Sequence, residues 1–454
     1  MQAVGLLLNN QNSNDLVSQA ERFSRTGNPV VIYRRPGVGV NGLLRRLVVI
    51  TQIAADRHAG ALADLRHRFA EADRFLVTDG TRDLRGRSDG PDRQLNCLMF
   101  TGSLGLGGAE QWIRILTNES RHSWRVLVSP NNSSSILTDR MTAPILSWGV
   151  HEKNIRSFPT QQDAMLAATD DVDVVVCWGG TMNTPLPGHR PSIDVIQGLV
   201  ELEQRTRQVG VAHGCTKWSK RMVSDAFMTN LCTHFVAVSE TVAESCPPGT
   251  TVILNGIDVG RLEHGSQDEA RRRFGLPTGG KVAGYIGRLS PDKNCEPLAA
   301  AVNLLPDEWT SFFCGNGYGR ENSVEMIEAD AGQRAIIHPA IPDVGNAFIA
   351  SDVLVMLSPS EGCSLGVLEA WHLGVPVVST RVGAIPEIER EVGPVVVPLP
   401  INPTPAQIAE AILQADPASD VTQRAKLWAQ LHGTSDVMVR KWDDYLVKIC
   451  QEVA

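Results

Sequence analysis

VLVMLSPSEGCSLGVLEAWHLGVPVVST, Val353 to Thr380, holds a complete strand–turn–helix–strand unit. VLVML and PVVST are continuous apolar runs rather than alternating ones, as parallel strands covered on both faces require. Between them a Ser/Pro/Gly turn leads into LGVLEAWHL, which reads as a helix opening near Cys363 to Leu365 and closed by Gly374 and Pro376. Two glutamates stand eight residues apart in this unit. Glu361 falls at the carboxyl end of a strand, where open α/β sheets bind ligands, and Glu369 about two turns into the helix. The first-turn amides of that helix point at the same place and accept anions. Taken singly, each glutamate has a plainer reading: Glu361 as a helix-dipole partner and Glu369 as a solvated helix residue.

The same unit recurs along the chain. LNCLMFTG, RVLVSP, DVVVCWG, VGVAHG and HFVAVS read as buried strands in one series, and KVAGYIG, SFFCGNG, VLVMLS, PVVST and PVVVPL in a second. Strand, Gly-bearing loop, helix and strand in repetition predict doubly wound α/β sheets. A Pro, Gly and polar stretch, CPPGTTVILNGIDVGRLEHGSQDEARRRFGLPTGG, separates the two series as an interdomain link would. The expected organisation is an extension over 1–93, a first domain over 94–255, a second over 256–435 and an amphipathic helix over 436–454. That last helix offers Val437, Val439, Trp442, Leu446 and Ile449 as its apolar stripe. The extension stands apart in charge, with 14 arginines, no lysine and 10 acids. It reads as a small appended α/β module; VGLLLN, PVVIYRR and RFLVTDG are its strand candidates.

A chain of 454 residues exceeds one ordinary core. Its net charge of −8 gives no global footprint for nucleic acid. Nine scattered cysteines without a CxxC pair predict reduced thiols, neither a zinc site nor a disulfide framework. MQAVGLLLNNQ lacks a basic leader region, and no apolar run approaches the roughly 20 residues that span a bilayer. A cytoplasmic protein, at most peripheral to a membrane, is expected.

Three further stretches carry candidate chemistry. In GYIGRLSPDKN a buried strand ends at Gly287, and Arg288 and Lys293 follow, either two cations placed to hold a phosphate in the crevice or two ordinary surface cations of a solvated loop. In FTGSLGLGGAEQWIRIL the loop before a helix carries Gly107 and Gly108, which permit close backbone approach to a ligand. Glu110 stands where a dinucleotide fingerprint needs its last glycine, so a dehydrogenase is a poor match. His213 follows a strand directly in VGVAHG, facing the same presumed crevice, although a lone histidine is more often structural than catalytic. KWSKRM (Lys217, Trp218, Lys220, Arg221) is a basic patch suited to weak contact with anionic lipid, or more plainly a solvated helix face.

GLGGAE, ILNGID, GRLSPDKN, CGNG and SPSEGCSLGVLEAWHLGVPVVSTRVGAIPEI occur in the order seen in retaining glycosyltransferases of family 4, which the chain resembles over about 95–454. The resemblance implies the GT-B fold: two Rossmann-like domains facing a cleft, acceptor on the first and nucleotide sugar on the second. By that resemblance Arg288 and Lys293 hold the donor diphosphate, Glu369 the ribose and Glu361 the transferred sugar. Gly362, Cys363, Ser364 and Leu365 lie over sugar and phosphate, Gly287 and Gly315 line the donor site, and Gly107 and Gly108 close on the phosphates. His213 stands beside the reacting sugar. A nucleotide-sugar donor and a glycan or lipid-linked acceptor are implied, with neither metal nor other cofactor. Cys363 and Ala384 depart from the residues common at those positions. Another GT-B enzyme, such as a nucleotide-sugar epimerase or a sugar phosphorylase, and a noncatalytic sugar-nucleotide-binding protein stay open as alternatives.

Overall fold

The computed structural model describes residues 94–101, 107–128, 172–178, 207–214, 232, 234–316, 334–341 and 344–451. It also describes strand segments 4–8, 30–34, 74–78 and 154–158, and positions 324, 327, 328 and 330. Strands β1 (Val4–Leu8) and β2 (Val30–Arg34) pair in parallel as a sheet of their own. The first large sheet comprises β3 (Arg74–Thr78), β4 (Asn96–Thr101), β5 (Ser123–Val128), β6 (Asn154–Phe158), β7 (Val174–Trp178), β8 (Arg207–Ala212), β9 (His234–Ala237) and β10 (Thr251–Val252). Its order is β10-β9-β8-β7-β4-β5-β3-β6. The second comprises β11 (Lys281–Ile286), β12 (Trp309–Cys314), β13 (Ala335–His338), β14 (Val353–Met356), β15 (Val377–Thr380) and β16 (Val397–Leu399), in the order β13-β12-β11-β14-β15-β16.

Every pairing in the second sheet is parallel, and in the first only β3 runs antiparallel to its neighbours. The ten apolar runs read as buried strands are all strands. Three others, β6, β10 and β13, were not foreseen. β3 arises within the stretch read as an extension and joins the first sheet between β5 and β6. NDLVSQAERFSRTG and HAGALADLRHRFAEA, which read as helices of that extension, fall outside the described residues.

The helices follow in chain order. On the first half lie α1 (Gly108–Glu119) and α2 (Glu240–Ala243); the second half carries α3 (Gln267–Phe274), α4 (Pro297–Val302), α5 (Gly345–Ala350) and α6 (Leu365–Leu373). α7 (Ile385–Val392), α8 (Pro405–Gln414), α9 (Asp420–His432) and α10 (Ser435–Gln451) complete the series. Local chemistry sets their ends. Ser266 and Glu269 form a reciprocal capping box at the start of α3, and Gly275, at φ 67°, ends it. No helix among the described residues is long and apolar enough to cross a membrane.

Two consequences position the site. In each large sheet the strand order reverses beside one strand: β4 lies between β5 and β7, and β11 between β12 and β14. Loops leaving the carboxyl ends at such a reversal splay apart and open a crevice. The chain also returns. α10 packs Met438, Trp442, Leu446 and Ile449 into the core of the first sheet with Met99, Trp112 and Val176. Met438, rather than Val437, takes the first place in its buried stripe. Asp443 fixes its register, accepting from Ser120 Oγ at 2.5 Å and Arg121 N at 3.1 Å. The two crossings between halves are bonded together: Ile257 N donates to Gly433 O at 2.9 Å and Ser435 N to Ile257 O at 2.8 Å. Gly256 permits this, because a Cβ there would lie 2.3 Å from Thr434 O.

Candidate active site

The loop after β11 carries Arg288 and Lys293, and the loop after β14 carries Glu361. Because β11 and β14 are neighbours, these loops meet. Lys293 Nζ lies 2.6 Å from Glu361 Oε1, with both side chains mostly buried. Asn294, with φ 47° at the end of the turn Pro291–Lys293, reverses the chain so that Lys293 points inward. Its own Nδ2 donates to Leu357 O at 3.4 Å. Arg288 is half exposed and donates from Nη2 to Asp292 Oδ2 at 3.3 Å. Gly287 and Gly315 sit side by side: a Cβ on Gly315 would fall 1.7 Å from Gly287 O. Only glycine allows the ends of β11 and β12 to pass so closely.

Glu361 leads directly into a close contact between the halves. A Cβ on Gly362 would lie 2.2 Å from His213 O and 2.8 Å from Val238 Cγ2, both from the first half. Gly383, at φ 63°, backs the same turn, its missing Cβ 2.3 Å from Gly362 O. Gly383 was not among the residues picked from sequence, where it appears as one more glycine in a turn. Cys363 is buried, and burial pushes its thiol up to about 12; its carbonyl accepts from Asn255 Nδ2 at 3.0 Å. It lines a small apolar pocket, open to solvent, under α6 with Val367, Trp371, Ala384 and Ile388.

Ser364 is the N-cap of α6 and makes no side-chain capping bond, leaving the amides of the first turn open to a ligand. α1 begins opposite. A Cβ on Gly108 would touch Leu365 Cδ1 at 3.6 Å, so the positive ends of α1 and α6 converge on one region. Gly107, the N-cap of α1, also lacks a side-chain cap, and the Glu110 carboxylate folds back over it.

His213 is set by aromatic neighbours. Its ring meets Trp112 of α1 edge-on at 4.7 Å and Trp178 at the end of β7 at 6.0 Å. Burial lowers its pKa to about 3, so the imidazole is neutral at physiological pH, and its buried Nε2 has no partner among the described residues. Glu369 is buried at 6% exposure, contrary to its plainer reading as a solvated residue. Its partner is Arg261, Nη1 to Oε1 at 3.4 Å, from the short 3-10 helix Val259–Leu262. Burial pushes the Glu369 carboxyl up to about 7, against the pull of Arg261. Arg261 escaped the sequence because it lies in a polar link more than a hundred positions from its partner. The basic patch Lys217, Trp218, Lys220 and Arg221 lies outside the described residues.

The structure thus brings Lys293 to Glu361, Gly362 to His213 and Gly108 to Leu365, and seats Glu369 on Arg261 below them. Residues 280–415 match the family model Glycosyl transferases group 1. Over 176 residues the chain is 30% identical to the putative teichuronic acid biosynthesis glycosyltransferase TuaC of Bacillus subtilis, covering 38% of this chain and 43% of TuaC. Over 186 residues it is 31% identical to the lipopolysaccharide core biosynthesis mannosyltransferase LpsB of Rhizobium meliloti, covering 38% of this chain and 50% of LpsB. The chain therefore spans half or less of the length of these curated relatives. Among solved structures, Anabaena HepE in complex with UDP-glucose superposes with a TM-score of 0.58 at 17% identity, over 78% of this chain and 100% of HepE. The fold is GT-B.

Proposed function

We propose that this chain is a retaining glycosyltransferase that moves a sugar from a nucleotide-sugar donor to a hydroxyl acceptor, a glycan or a lipid-linked saccharide. The observation that carries this is the Lys293–Glu361 pair, held where the loops after β11 and β14 meet. It offers a donated positive charge and an accepting carboxylate within one sugar's reach, beside two helix N-termini. The Glycosyl transferases group 1 match over this half, the relatives' names and the UDP-glucose in HepE support the same reading.

In the reaction the bond from the anomeric carbon to the diphosphate oxygen breaks, and the acceptor oxygen bonds to that carbon. Negative charge grows on the departing diphosphate, where Lys293, Arg288 and the amides opening α6 and α1 stabilise it. With fixed cations supplying that charge, the reaction needs no metal. The acceptor's proton passes to the departing oxygen on the same face, which retains configuration. Glu361 orients the sugar and Glu369 accepts from the ribose hydroxyls. The neutral His213 uses its open Nε2 for a hydrogen bond to the reacting sugar rather than as an acid. Gly287, Gly315 and Gly362 to Leu365 form the walls, and the first half receives the acceptor. We place the work in the cytoplasm.

The test is a panel of UDP-, GDP- and ADP-sugars screened for thermal stabilisation of the full chain, then for transfer in the presence of a chelator. One donor should raise Tm in the wild type and not in Lys293→Ala. If none does, and Lys293→Ala melts identically throughout, the donor-site assignment is wrong. Hydrolysis of a donor that persists in Arg288→Ala would remove Arg288 from the diphosphate.

A further inference from the structure

Glu369 is an awkward group to leave where it is. A carboxylate inside a helix-packed core loses its hydration, and it persists charged only with a partner. Its surroundings supply few. On α6 itself the neighbours are apolar but for His372, three positions on, whose half-buried ring is held below the usual histidine range by desolvation and then by Lys426; α5 offers GNAFIA without a charge, and β14 and β15 are buried VLVM and VVST. From α9, Lys426 lies along Gly374 at the other end of α6. The charged groups that face Glu369 come from the short helix Val259–Leu262: Arg261, which pairs with it, and Asp258, whose negative charge opposes it.

That short helix is not fixed by its own half alone. Asp258 caps it, Oδ1 accepting from Gly260 N at 3.0 Å, while Asp258 Oδ2 accepts from Arg114 Nη2 on α1. Arg114 is braced in turn, its Nε donating to Gln111 Oε1 at 3.0 Å. α1 is the helix whose first residues meet Leu365. One run of alternating charge, Arg114–Asp258 and Arg261–Glu369, therefore joins the first half to the carboxylate on α6. We propose that Arg261 is a positioning residue for nucleoside recognition: it holds and aims the Glu369 carboxylate, from a helix that the first half steadies through Arg114 and Asp258. This rests on the donor-site reading of Glu369. Arg261 acts through that carboxylate, and the property it serves is discrimination of the ribose.

The fork of a guanidinium fixes direction as well as charge, which a lysine ammonium does not. Arg261→Gln removes both, and the buried carboxyl then holds its proton to higher pH, losing acceptor capacity at the ribose.

The experiment is calorimetric titration of the full-length protein with UDP, GDP and ADP, each beside its 2′-deoxy form, at about pH 6.5 and about pH 8.5. For the nucleotide that wild type binds, Arg261→Gln should weaken Kd about tenfold at the lower pH and less at the higher, and flatten the ribo/2′-deoxy ratio. Arg261→Lys should fall between, near threefold, and Arg114→Gln should show a loss of about that size with the same loss of ratio. Wild-type Kd and ratio in Arg261→Gln, folded by circular dichroism, with both lost in Glu369→Gln, would overturn the role of Arg261 alone. If Arg261→Gln does not fold, wild-type Kd and ratio in Arg261→Lys and Arg114→Gln overturn it equally. If Glu369→Gln itself binds and discriminates as wild type, or wild type binds none of the three, the donor-site reading fails first.

Discussion

The two halves meet one cleft with opposite chemistry. The second half contributes ions: Lys293 on Glu361, Arg261 on Glu369 and, at the rim, Arg288 on Asp292. Apart from the Glu110 carboxylate folded over Gly107, the first half contributes close backbone and neutral rings: Gly107 and Gly108 opening α1, and His213 against Trp112 and Trp178. A charged leaving group needs fixed charge, whereas a reacting sugar and its acceptor hydroxyl need an uncharged, shaped wall. On the proposed function, the diphosphate belongs to the charged side and the hydroxyl chemistry to the other.

Lys293→Ala attacks the charged side and should have the largest effect, a fall in kcat/KM of about 10³, near 4 kcal/mol, read in a transfer assay. Glu361 is left mostly buried and unpaired as well, so Lys293→Arg should recover part of the loss. Activity within a few-fold of wild type in Lys293→Ala would erase the contrast. Gly362→Ala tests the seam instead. Its new methyl would press on His213 O and Val238, and overpacking of that kind costs about 3 kcal/mol, visible as a lower urea midpoint. An unchanged midpoint would mean that the halves can part there without cost.

Acidity should separate the sides more finely. His213 has a folded pKa near 3, below its unfolded value, so the unfolded chain binds the extra proton as pH falls. Stability should therefore drop on acidification from about pH 6.5, and His213→Phe should flatten that slope by roughly 1 kcal/mol or more between about pH 6 and 4. Glu369 has a raised folded pKa, near 7, so here the folded state holds the extra proton. Its contribution is present below the unfolded value and is lost as pH rises toward 7, and Glu369→Gln should remove that decline. Urea titrations across pH give both slopes; equal signs would contradict the desolvation argument. The smallest effect is expected at the rim. Arg288→Ala should change unfolding free energy by no more than about 0.5 kcal/mol, because its pair with Asp292 is solvated, while still lowering transfer.

The second half was the more legible in sequence, for a physical reason. Its central strands are buried on both faces, so VLVM and the start of VVST read as apolar runs. The edge strands β10 and β13 are short and half-buried, and left no such run. Lys293 and Glu361 were legible because each follows a readable strand. Arg261 was not, since DVGRLEHG has the composition of a solvated link and only folding across 108 positions shows its partner. Gly383 was hidden in the same way: its need for φ 63° comes from Gly362, across the turn. Trp112 and Trp178 belong to no motif in the sequence, and become the walls of His213 only when α1 and β7 pack together.

The bonded pair of crossings at Ile257 and Thr434 has a mechanical meaning. A single connecting strand could swivel, but two strands laced side by side behave like a flat ribbon, free to flex about one line and stiff against torsion. Any opening of the cleft should then be confined to that line, so that the Gly362–His213 seam is expected to close in one register. Cutting the chain near Thr434 would remove the ribbon and, with α10, one wall of the first half's core.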